Sequence, residues 1–202
     1  MTAAPTTYPV RFSVDYPEGP RDRLSVLLRL ILSIPALVLV TLLSSSSARA
    51  GAASVAAGVA VAVLLMILFR QKYPRWWFDW LVGVYRFSAR VAAYLALQRD
   101  EYPATDEEQA VHLQIDYPDA TQLNRWLPLV KWLLAIPHYI VLIVLGIAAV
   151  IVTIVAWFMI LVTGHYPRSL FDFTVGVSRW CYRVSGYAFL LVTDRYPPFS
   201  LE

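Results

Sequence analysis

The stretch GHYPRSLFDFTVGVSRWCYR, residues 164–183, has a close counterpart earlier in the chain, QKYPRWWFDWLVGVYRFSAR, residues 71–90. The segments before them also match, with one inserted residue: VDYPEGPRDRLSVLLRLILSIP at 14–35 and IDYPDATQLNRWLPLVKWLLAIP at 115–137. Self-similarity of this kind is typical of a chain built from repeated structural units. The sequence therefore predicts two tandem repeats, residues 1–104 and 105–202.

The composition of the chain is that of a membrane protein. Hydrophobic residues make up 58% of it and charged residues only 15%, which lies outside the range of ordinary soluble domains. The apolar residues concentrate in residues 24–69 and 126–163, and a bilayer core about 30 Å thick needs about 20 helical residues per crossing. Each tract is long enough for a transmembrane helical hairpin. The predicted helices are residues 24–43 and 53–69 in the first repeat and 126–145 and 147–163 in the second.

The second tract leaves less room for a turn than the first. A serine-rich loop, residues 44–52, separates the helices of the first repeat, whereas the second offers only the neighbourhood of Gly146. The alternative is one tilted helix over residues 126–163, about 57 Å long at ~1.5 Å per residue, which overshoots the bilayer nearly twofold. We therefore favour the hairpin. The SSSSARA run resembles a leader cleavage site, but the matching segment in the second repeat lies mid-chain, so we expect a retained helix.

The first helix of each hairpin carries the same polar landmarks in both repeats. They are the N-cap residues Asp22 and Asn124, the second-turn cations Arg29 and Lys131, and the mid-helix prolines Pro35 and Pro137. Asp and Asn side chains accept hydrogen bonds from the first amides of a helix. We expect the two cations to snorkel to the near membrane surface and the two prolines to kink their helices.

Short runs of alternating polarity precede the apolar tracts. In residues 10–14 and 111–115 every second residue is apolar, and this period of two indicates half-buried β-strands. Because a lone strand is unstable, we expect the two strands to pair, with each other or with the ends of the repeats, in a small cytoplasmic sheet.

The repeated stretch that follows each tract is predicted to be an amphipathic helix, residues 76–98 and 169–192. In the first copy Asp79, Arg86 and Arg90 would each cost about 2.5–3.5 kcal/mol near the centre of a membrane-spanning helix, against about 0.3–0.6 kcal/mol gained per Leu, Val or Phe. Their spacing places these charges on one polar stripe. We therefore expect both helices to lie in the membrane interface or against the hairpins.

The cationic residues predict the orientation. If each hairpin goes out and back, nearly all of them fall on one side: Arg11, Arg21, Arg23, Arg70, Lys72, Arg75, Arg99, Arg125, Arg168 and Arg195. Only Arg49 lies in an opposite loop. Because positively charged loops stay in the cytoplasm, the sequence predicts a multi-pass protein with cytoplasmic N and C termini and two parallel repeats.

The motifs WLPLVKWLLAIPH, TGHYPRSLFDF, GVSRWCYRVSGYAFLL and DRYPPFSL closely resemble an uncharacterised family of bacterial membrane proteins, the domain of unknown function DUF4389. The resemblance covers nearly the whole chain, and the second repeat is nearer to the family pattern. The first departs from it in the serine-rich loop and in the ending LALQRDEYPATD. The resemblance implies a location in the bacterial cytoplasmic (inner) membrane. It implies no activity, ligand or catalytic residue.

Several functions are disfavoured by the sequence. Phosphate loops rich in glycine, the GxSxG elbow and HExxH do not occur, so we expect no enzyme activity, no catalytic residues and no cofactor. Cys181 is the only cysteine and the three histidines are scattered, so no metal site is expected. The arginines flank apolar segments and form no basic arm, which argues against nucleic acid as a partner.

The repeated ionisable residues are the candidate site. They are Arg75, Asp79, Arg86 and Arg90 in the first repeat and Arg168, Asp172, Arg179 and Arg183 in the second. One interpretation is structural: Asp79 and Arg86 pair on their helix, or with the equivalent residues of the other repeat, and hold the helix to the core. The other is that the arginines bind anionic phospholipid headgroups or the acidic surface of a partner.

The sequence thus favours a non-enzymatic membrane scaffold or accessory subunit. It would use the interfacial helices to bind lipid and other membrane proteins, or further copies of itself. The alternative is a small oligomeric channel or transporter. Conduction pathways normally place polar residues along a spanning helix, and the predicted helices 53–69 and 147–163 contain few, chiefly Ser54 and Thr153.

Overall fold

The computed structural model describes residues 8–44, 55–105 and 107–202. The element order is β1 (Val10–Val14), α1 (Arg23–Leu32), α2 (Ile34–Ser44), α3 (Val55–Arg70), α4 (Arg75–Leu95), β2 (Val111–Ile115), α5 (Pro128–Leu134), α6 (Ile136–Thr163) and α7 (Arg168–Ala188). The fold is mainly helical with one small sheet, as predicted. Most of the predicted serine-rich loop, including Arg49, and the first residues of the predicted helix 53–69 lie outside the described residues.

The two strands pair with each other. β1 and β2 are antiparallel, with Val10 opposite Ile115, and in each strand the first, third and fifth residues are buried while the second and fourth are exposed. Arg11 on the exposed face forms an ion pair with Asp116 at 2.7 Å. The pairing predicted from the alternating pattern is confirmed.

Both prolines interrupt their helices. Ser33 separates α1 from α2 just before Pro35, and Ala135 separates α5 from α6 just before Pro137. Proline has no N–H for the carbonyl four residues earlier, and its ring clashes with that carbonyl. Each helix is therefore interrupted in the turn that precedes its proline, at Ser33 and at Ala135.

The two predicted N-caps differ. Asp22 Oδ1 accepts a hydrogen bond from the Leu24 N–H at 3.1 Å and caps α1 as expected. Asn124 accepts the matching bond from the Trp126 N–H at 2.9 Å, but α5 begins only at Pro128. Asn124 therefore holds a turn that lies ahead of the helix.

From Ile136 onward the apolar tract of the second half forms one long helix, so the predicted hairpin of helices 126–145 and 147–163 is wrong. α6 runs without a break for 28 residues, about 42 Å at ~1.5 Å per residue. Gly146 lies inside it, where a glycine lowers stability by only about 1 kcal/mol relative to alanine. Because no proline or polar run accompanies Gly146, the helix continues to its end at Gly164, which has a φ of 78°.

Two helical segments of the described chain are long and apolar enough to cross a membrane by length and composition. They are Arg23–Leu42, which includes the interruption at Ser33, and Ile136–Thr163. The apolar stretch found in α3 is shorter, Val61–Arg70. These segments support an association with membranes.

Both amphipathic stretches are helical but end earlier than predicted. α4 ends at Leu95, before the predicted 98, and α7 ends at Ala188, before the predicted 192. Leu97 and Leu191 have φ angles of 61° and 57°, in the left-handed region through which a right-handed helix does not continue. A residue in the left-handed region therefore follows the helix in each half, two residues after the end of α4 and three residues after the end of α7.

The amphipathic helices form the middle of three layers. α7 packs against β1 and α6, and α4 packs against β2 and α2. On one face of α7, the ring of Tyr182 lies 4.9 Å from that of Phe12 in β1. On the other, the Trp180 indole N–H donates to His138 Nδ1 of α6 at 3.1 Å. Each strand thus lies on the amphipathic helix of the other half.

The sheet, α7 and α6 run side by side. Residues 164–167 join the end of α6 to the start of α7, while the indole bond described above reaches the first turn of α6. β1 and the residues after it contact α7 near both of its ends. Tyr16 packs edge-on against Phe171 at 5.1 Å, and a Cβ added at Gly186 would lie 2.5 Å from Val10 Cγ2.

Replacing Gly186 with alanine is expected to destabilise the protein, because the new Cβ would come within 2.5 Å of Val10 Cγ2 and Val10 is only 1% exposed. Overpacking of this kind costs about 1–3 kcal/mol. Thermal unfolding of the protein in detergent should show a lower midpoint. The control is Gly146→Ala, whose Cβ would meet nothing within 4 Å among the described residues. Equal midpoints for the two variants would contradict the tight contact between β1 and α7.

Candidate functional site

Two arginines of the polar stripe hold the edges of the sheet. Arg86 Nε donates to the Leu113 carbonyl at 3.0 Å, and Arg179 Nε donates to the Phe12 carbonyl at 2.9 Å. Phe12 and Leu113 lie opposite each other in the sheet register. One cross-strand pair therefore accepts an arginine hydrogen bond at each edge of the sheet. Hydrogen bonds with a charged donor are stronger than neutral ones, and these two attach the sheet to the middle layer.

The other two stripe arginines bind the segments that follow the amphipathic helices. Arg90 Nη1 donates to the Ala104 carbonyl at 2.7 Å, and Arg183 Nη1 donates to the Ser200 carbonyl at 3.4 Å. All four stripe arginines therefore have carbonyl partners within the protein. This favours the structural interpretation of the stripe for these four residues.

The acidic residues of the stripe are placed differently. Asp79 and Asp172 are exposed, and the ion pairs of the described residues include neither of them. The predicted pairing of Asp79 with Arg86 is not formed in this part of the chain, because Arg86 turns to the strand carbonyl.

The remaining two predicted residues, Arg75 and Arg168, begin α4 and α7 and stack on tyrosines of the other half. The Arg75 guanidinium carbon lies 5.0 Å from the ring centroid of Tyr117, and that of Arg168 lies 4.9 Å from the ring centroid of Tyr16. Both arginines are exposed. Cation–π contact fixes their position without enclosing them.

The Tyr-Pro dipeptides of the two halves meet at these same places. The Tyr16 hydroxyl donates to the Tyr166 carbonyl at 2.5 Å, and the Tyr117 hydroxyl donates to the Tyr73 carbonyl. Each bond joins the loop before one apolar tract to the loop before the amphipathic helix of the other half. The two tyrosines that contact Arg75 and Arg168 are therefore themselves positioned by hydrogen bonds from their hydroxyls to backbone carbonyls.

Sequence reasoning missed a second charged cluster, at the second turn of α1. Arg29 is only 2% exposed. It forms an ion pair with Asp100, and its Nη1 donates to the carbonyls of Tyr94 and Arg99 at 3.1 and 2.9 Å. Its guanidinium carbon lies 4.4 Å from the Tyr94 ring centroid. The prediction that Arg29 snorkels to the membrane surface is wrong, because its partners lie inside the protein.

Lys131 occupies the matching position in α5 and is 0% exposed. Its Nζ lies 2.7 Å from Asp194 Oδ1, donates to the Thr193 carbonyl at 2.7 Å, and lies 5.3 Å from the Tyr187 ring centroid. The snorkelling predicted for Lys131 is therefore wrong as well. Each half places a buried cation between a half-buried carboxylate and a buried tyrosine.

Arg21 extends the cluster of the first half. It is 6% exposed, its Nη1 lies 3.0 Å from Asp100 Oδ1, and its Nη2 donates to the carbonyls of Leu97 and Gln98 at 2.5 and 2.7 Å. Burial lowers the pKa of Arg21, and the neighbouring Asp100 carboxylate opposes that change. Asp100 therefore faces two buried guanidinium groups at once.

The repeats contained a signal for these clusters. Both carry a cation in the second turn of the first apolar helix, and both carry an aspartate two residues before the tyrosine of a Tyr-Pro dipeptide, at Asp100 and Asp194. A buried charge requires a partner of opposite sign. Pairing the repeated cation with the repeated aspartate would have located both clusters.

The site joins the layers through arginines that donate to backbone carbonyls and through the ion pairs of Asp100 and Asp194. Among the described residues, no group of three or more His, Cys, Asp or Glu is placed to hold a metal ion. The fold and the site define a mainly helical protein in which the strand of each half packs on the amphipathic helix of the other half. Each half has a matching charged cluster and exposes its apolar helices.

The chain belongs to the family described as Domain of unknown function (DUF4389), whose model matches residues 23–105 and 126–200. The two matched segments are consistent with two tandem copies of the domain and confirm the resemblance drawn from the motifs. No curated protein and no solved structure matches the chain.

Replacing Asp194 with asparagine is expected to destabilise the protein, because Lys131 would remain buried without a carboxylate partner. Removing one member of a buried ion pair costs about 3–5 kcal/mol. The unfolding midpoint in detergent should fall, and the double variant Lys131→Met, Asp194→Asn should recover most of the loss. The control is Asp172→Asn, which alters an exposed carboxylate. If both single variants unfold at the same temperature, the ion pair does not support the fold.

Proposed function

We propose that the protein is a non-enzymatic scaffold or accessory subunit of the bacterial cytoplasmic membrane, with both termini in the cytoplasm, that contacts anionic lipid and a larger membrane complex. The observation that carries the proposal is the order of the three layers. A sheet with a polar outer face, two amphipathic helices and a set of exposed apolar helices follow one another through the molecule. This order matches the change in polarity from water through the membrane interface to hydrocarbon.

The apolar layer supports insertion into lipid. Large apolar side chains are exposed along the whole of α6, with Ile140 at 61%, Ile151 at 57% and Val162 at 76%. In α1, Leu30 is 77% exposed. Soluble monomers rarely expose a contiguous apolar surface of this extent. Acyl chains are the solvent that such a surface favours.

The side-by-side course of the sheet, α7 and α6 supports insertion from one side of the membrane. If α6 stood upright across the bilayer, the sheet that follows α7 would be carried to the same depth. Its charged residues, such as Arg11 and Asp116, would then lie in hydrocarbon, where each costs about 2.5–3.5 kcal/mol on the insertion scale. We therefore propose that the apolar helices lie along the cytoplasmic leaflet, in place of the multi-pass arrangement expected from the sequence.

Arg75 and Arg168 are the residues of the candidate site best placed to contact lipid headgroups. Both are exposed at the start of a middle-layer helix, while the other four arginines bind carbonyls. Beside Arg75, Trp76 is 70% exposed, and tryptophan favours the membrane interface. A guanidinium group binds phosphate through two parallel hydrogen bonds.

The channel or transporter alternative gains no support from α6. Thr153, its polar residue near the middle, donates its hydroxyl to the Ala149 carbonyl of the same helix at 2.8 Å. The hydroxyl therefore satisfies the helix backbone. The alternative stays a prediction of the sequence.

Changing Arg75 or Arg168 to glutamine is expected to weaken the binding of phosphatidylglycerol to the detergent-solubilised protein. An arginine next to the membrane surface contributes about 1 kcal/mol to the attraction of anionic lipid, which corresponds to a roughly fivefold change in affinity. Native mass spectrometry during a lipid titration measures the bound fraction. The control is Arg11→Gln, which removes an exposed arginine of the sheet. Equal lipid binding by the Arg75, Arg168 and Arg11 variants would contradict the proposed lipid contact.

A further inference from the structure

The C-terminal residues of the chain fill a groove along one flank of α7. This α7 groove is formed by Gly176, Arg179 and Arg183, and it holds Ser200 and Leu201. Arg179 Nη1 donates to the Leu201 carbonyl at 2.9 Å, and Arg183 Nη1 donates to the Ser200 carbonyl at 3.4 Å. A Cβ added at Gly176 would lie only 3.0 Å from the Leu201 carbonyl oxygen, so the glycine lets the peptide lie directly on the helix.

Among the described residues, the matching flank of α4 is covered at Arg90, which donates to the Ala104 carbonyl at 2.7 Å, and is uncovered at Gly83 and Arg86. This α4 groove is formed by Gly83, Arg86 and Arg90, the counterparts of the three residues named above. Gly83 is exposed, and within the described chain a Cβ added there would meet nothing within 4 Å. Arg86 donates to the edge of β2, and Arg179 donates to the edge of β1 in the same way. Arg86 is nevertheless exposed, whereas Arg179 is half-buried. Within the described ranges, the α7 groove is filled at all three of its residues, whereas the α4 groove is open at Gly83 and Arg86.

A cavity of about 330 Å³ lies beside the α4 groove, between α4 and β2. Its lining residues are Arg86, Arg90, Glu108, Gln109 and residues 111–114. In the described part of the chain β2 pairs only with β1, so the backbone groups of its other edge lie outside the ladder and face this cavity. At that edge the Leu113 carbonyl accepts the hydrogen bond of Arg86. Such an edge is a template for a further extended segment.

We propose that the α4 groove binds an extended peptide segment of a partner protein, in the way that the α7 groove binds Ser200 and Leu201. The peptide offers a backbone carbonyl to Arg86, places a side chain of about the size of leucine over Gly83, and runs along the free edge of β2. The inference rests on the accessory-subunit part of the proposed function and gives the chemistry of the partner.

The charges of the groove favour a neutral peptide over an anion. Arg86 and Arg90 already donate to protein carbonyls at 3.0 and 2.7 Å, and the carboxylate of Glu108 lines the same cavity. A phosphate group would meet that carboxylate, whereas a backbone carbonyl carries no net charge. Main-chain hydrogen bonds give affinity when extended peptides bind at a sheet edge.

The peptide RYPPFSLE, residues 195–202 of this chain, is a suitable probe because its last residues fit the equivalent groove. Fluorescence anisotropy with the labelled peptide and the full-length protein in detergent should show saturable binding. Gly83→Leu, which fills the α4 groove, should weaken binding at least about tenfold. The matched control is Gly146→Leu, a second helical glycine with open space around it among the described residues, which should bind as the unaltered protein does.

A photoreactive phenylalanine in place of the peptide phenylalanine locates the bound probe without any protein variant. Cross-links to residues 86–90 or 108–114 are expected, and cross-links to the α7 groove would overturn the proposal. Lack of saturable binding, or equal binding by Gly83→Leu and Gly146→Leu, would overturn it too. Leucine forms helix better than glycine, so Gly83→Leu should fold and bind phosphatidylglycerol normally. Failure of peptide binding and failure of lipid binding are thereby distinguished.

Discussion

The buried ion pair between a cation of the first apolar helix and an aspartate that follows the amphipathic helix organises each half of the protein. Arg29 pairs with Asp100, and Lys131 pairs with Asp194. A buried charge without its partner is far less stable than the pair, so the chain after α4 must stay on α1 and the chain after α7 must stay on α5. The amphipathic helices are thereby fixed between the apolar helices and the sheet.

The second level of organisation is the exchange of strands between the halves. β1 comes before the apolar helices of the first half but lies on α7, and β2 lies on α4. Arg179 and Arg86 secure these contacts at the two edges of the sheet. Neither half contains a complete set of three layers without a strand of the other. The duplicated sequence therefore forms one interlocked unit, and the stripe of arginines is mainly the joint between its layers.

The sequence predicted what depends on near neighbours in the chain. Alternating polarity gave both strands, and Pro35 and Pro137 gave the helix breaks, because in each case the cause lies within a few residues. It failed where a distant partner decides. Glycine in a helix is less favourable than alanine by about 1 kcal/mol. The packing of α6 along α7 outweighs this cost at Gly146, so α6 continues. The directions of Arg29 and Lys131 depend on aspartates far along the chain.

The depth of α6 in the membrane is the property on which the one-sided arrangement depends. Ile140, Ile151 and Val162 are all exposed on α6, and at intervals of eleven residues, about 16 Å and three turns apart, they share one face. Spin labels on single cysteines at these positions, in a Cys181→Ser background, report depth through relaxation by oxygen and by a water-soluble nickel chelate. We expect all three labels at one shallow depth among the acyl chains of a single leaflet. A label at position 151 near the bilayer centre, with those at 140 and 162 near opposite surfaces, would contradict this arrangement.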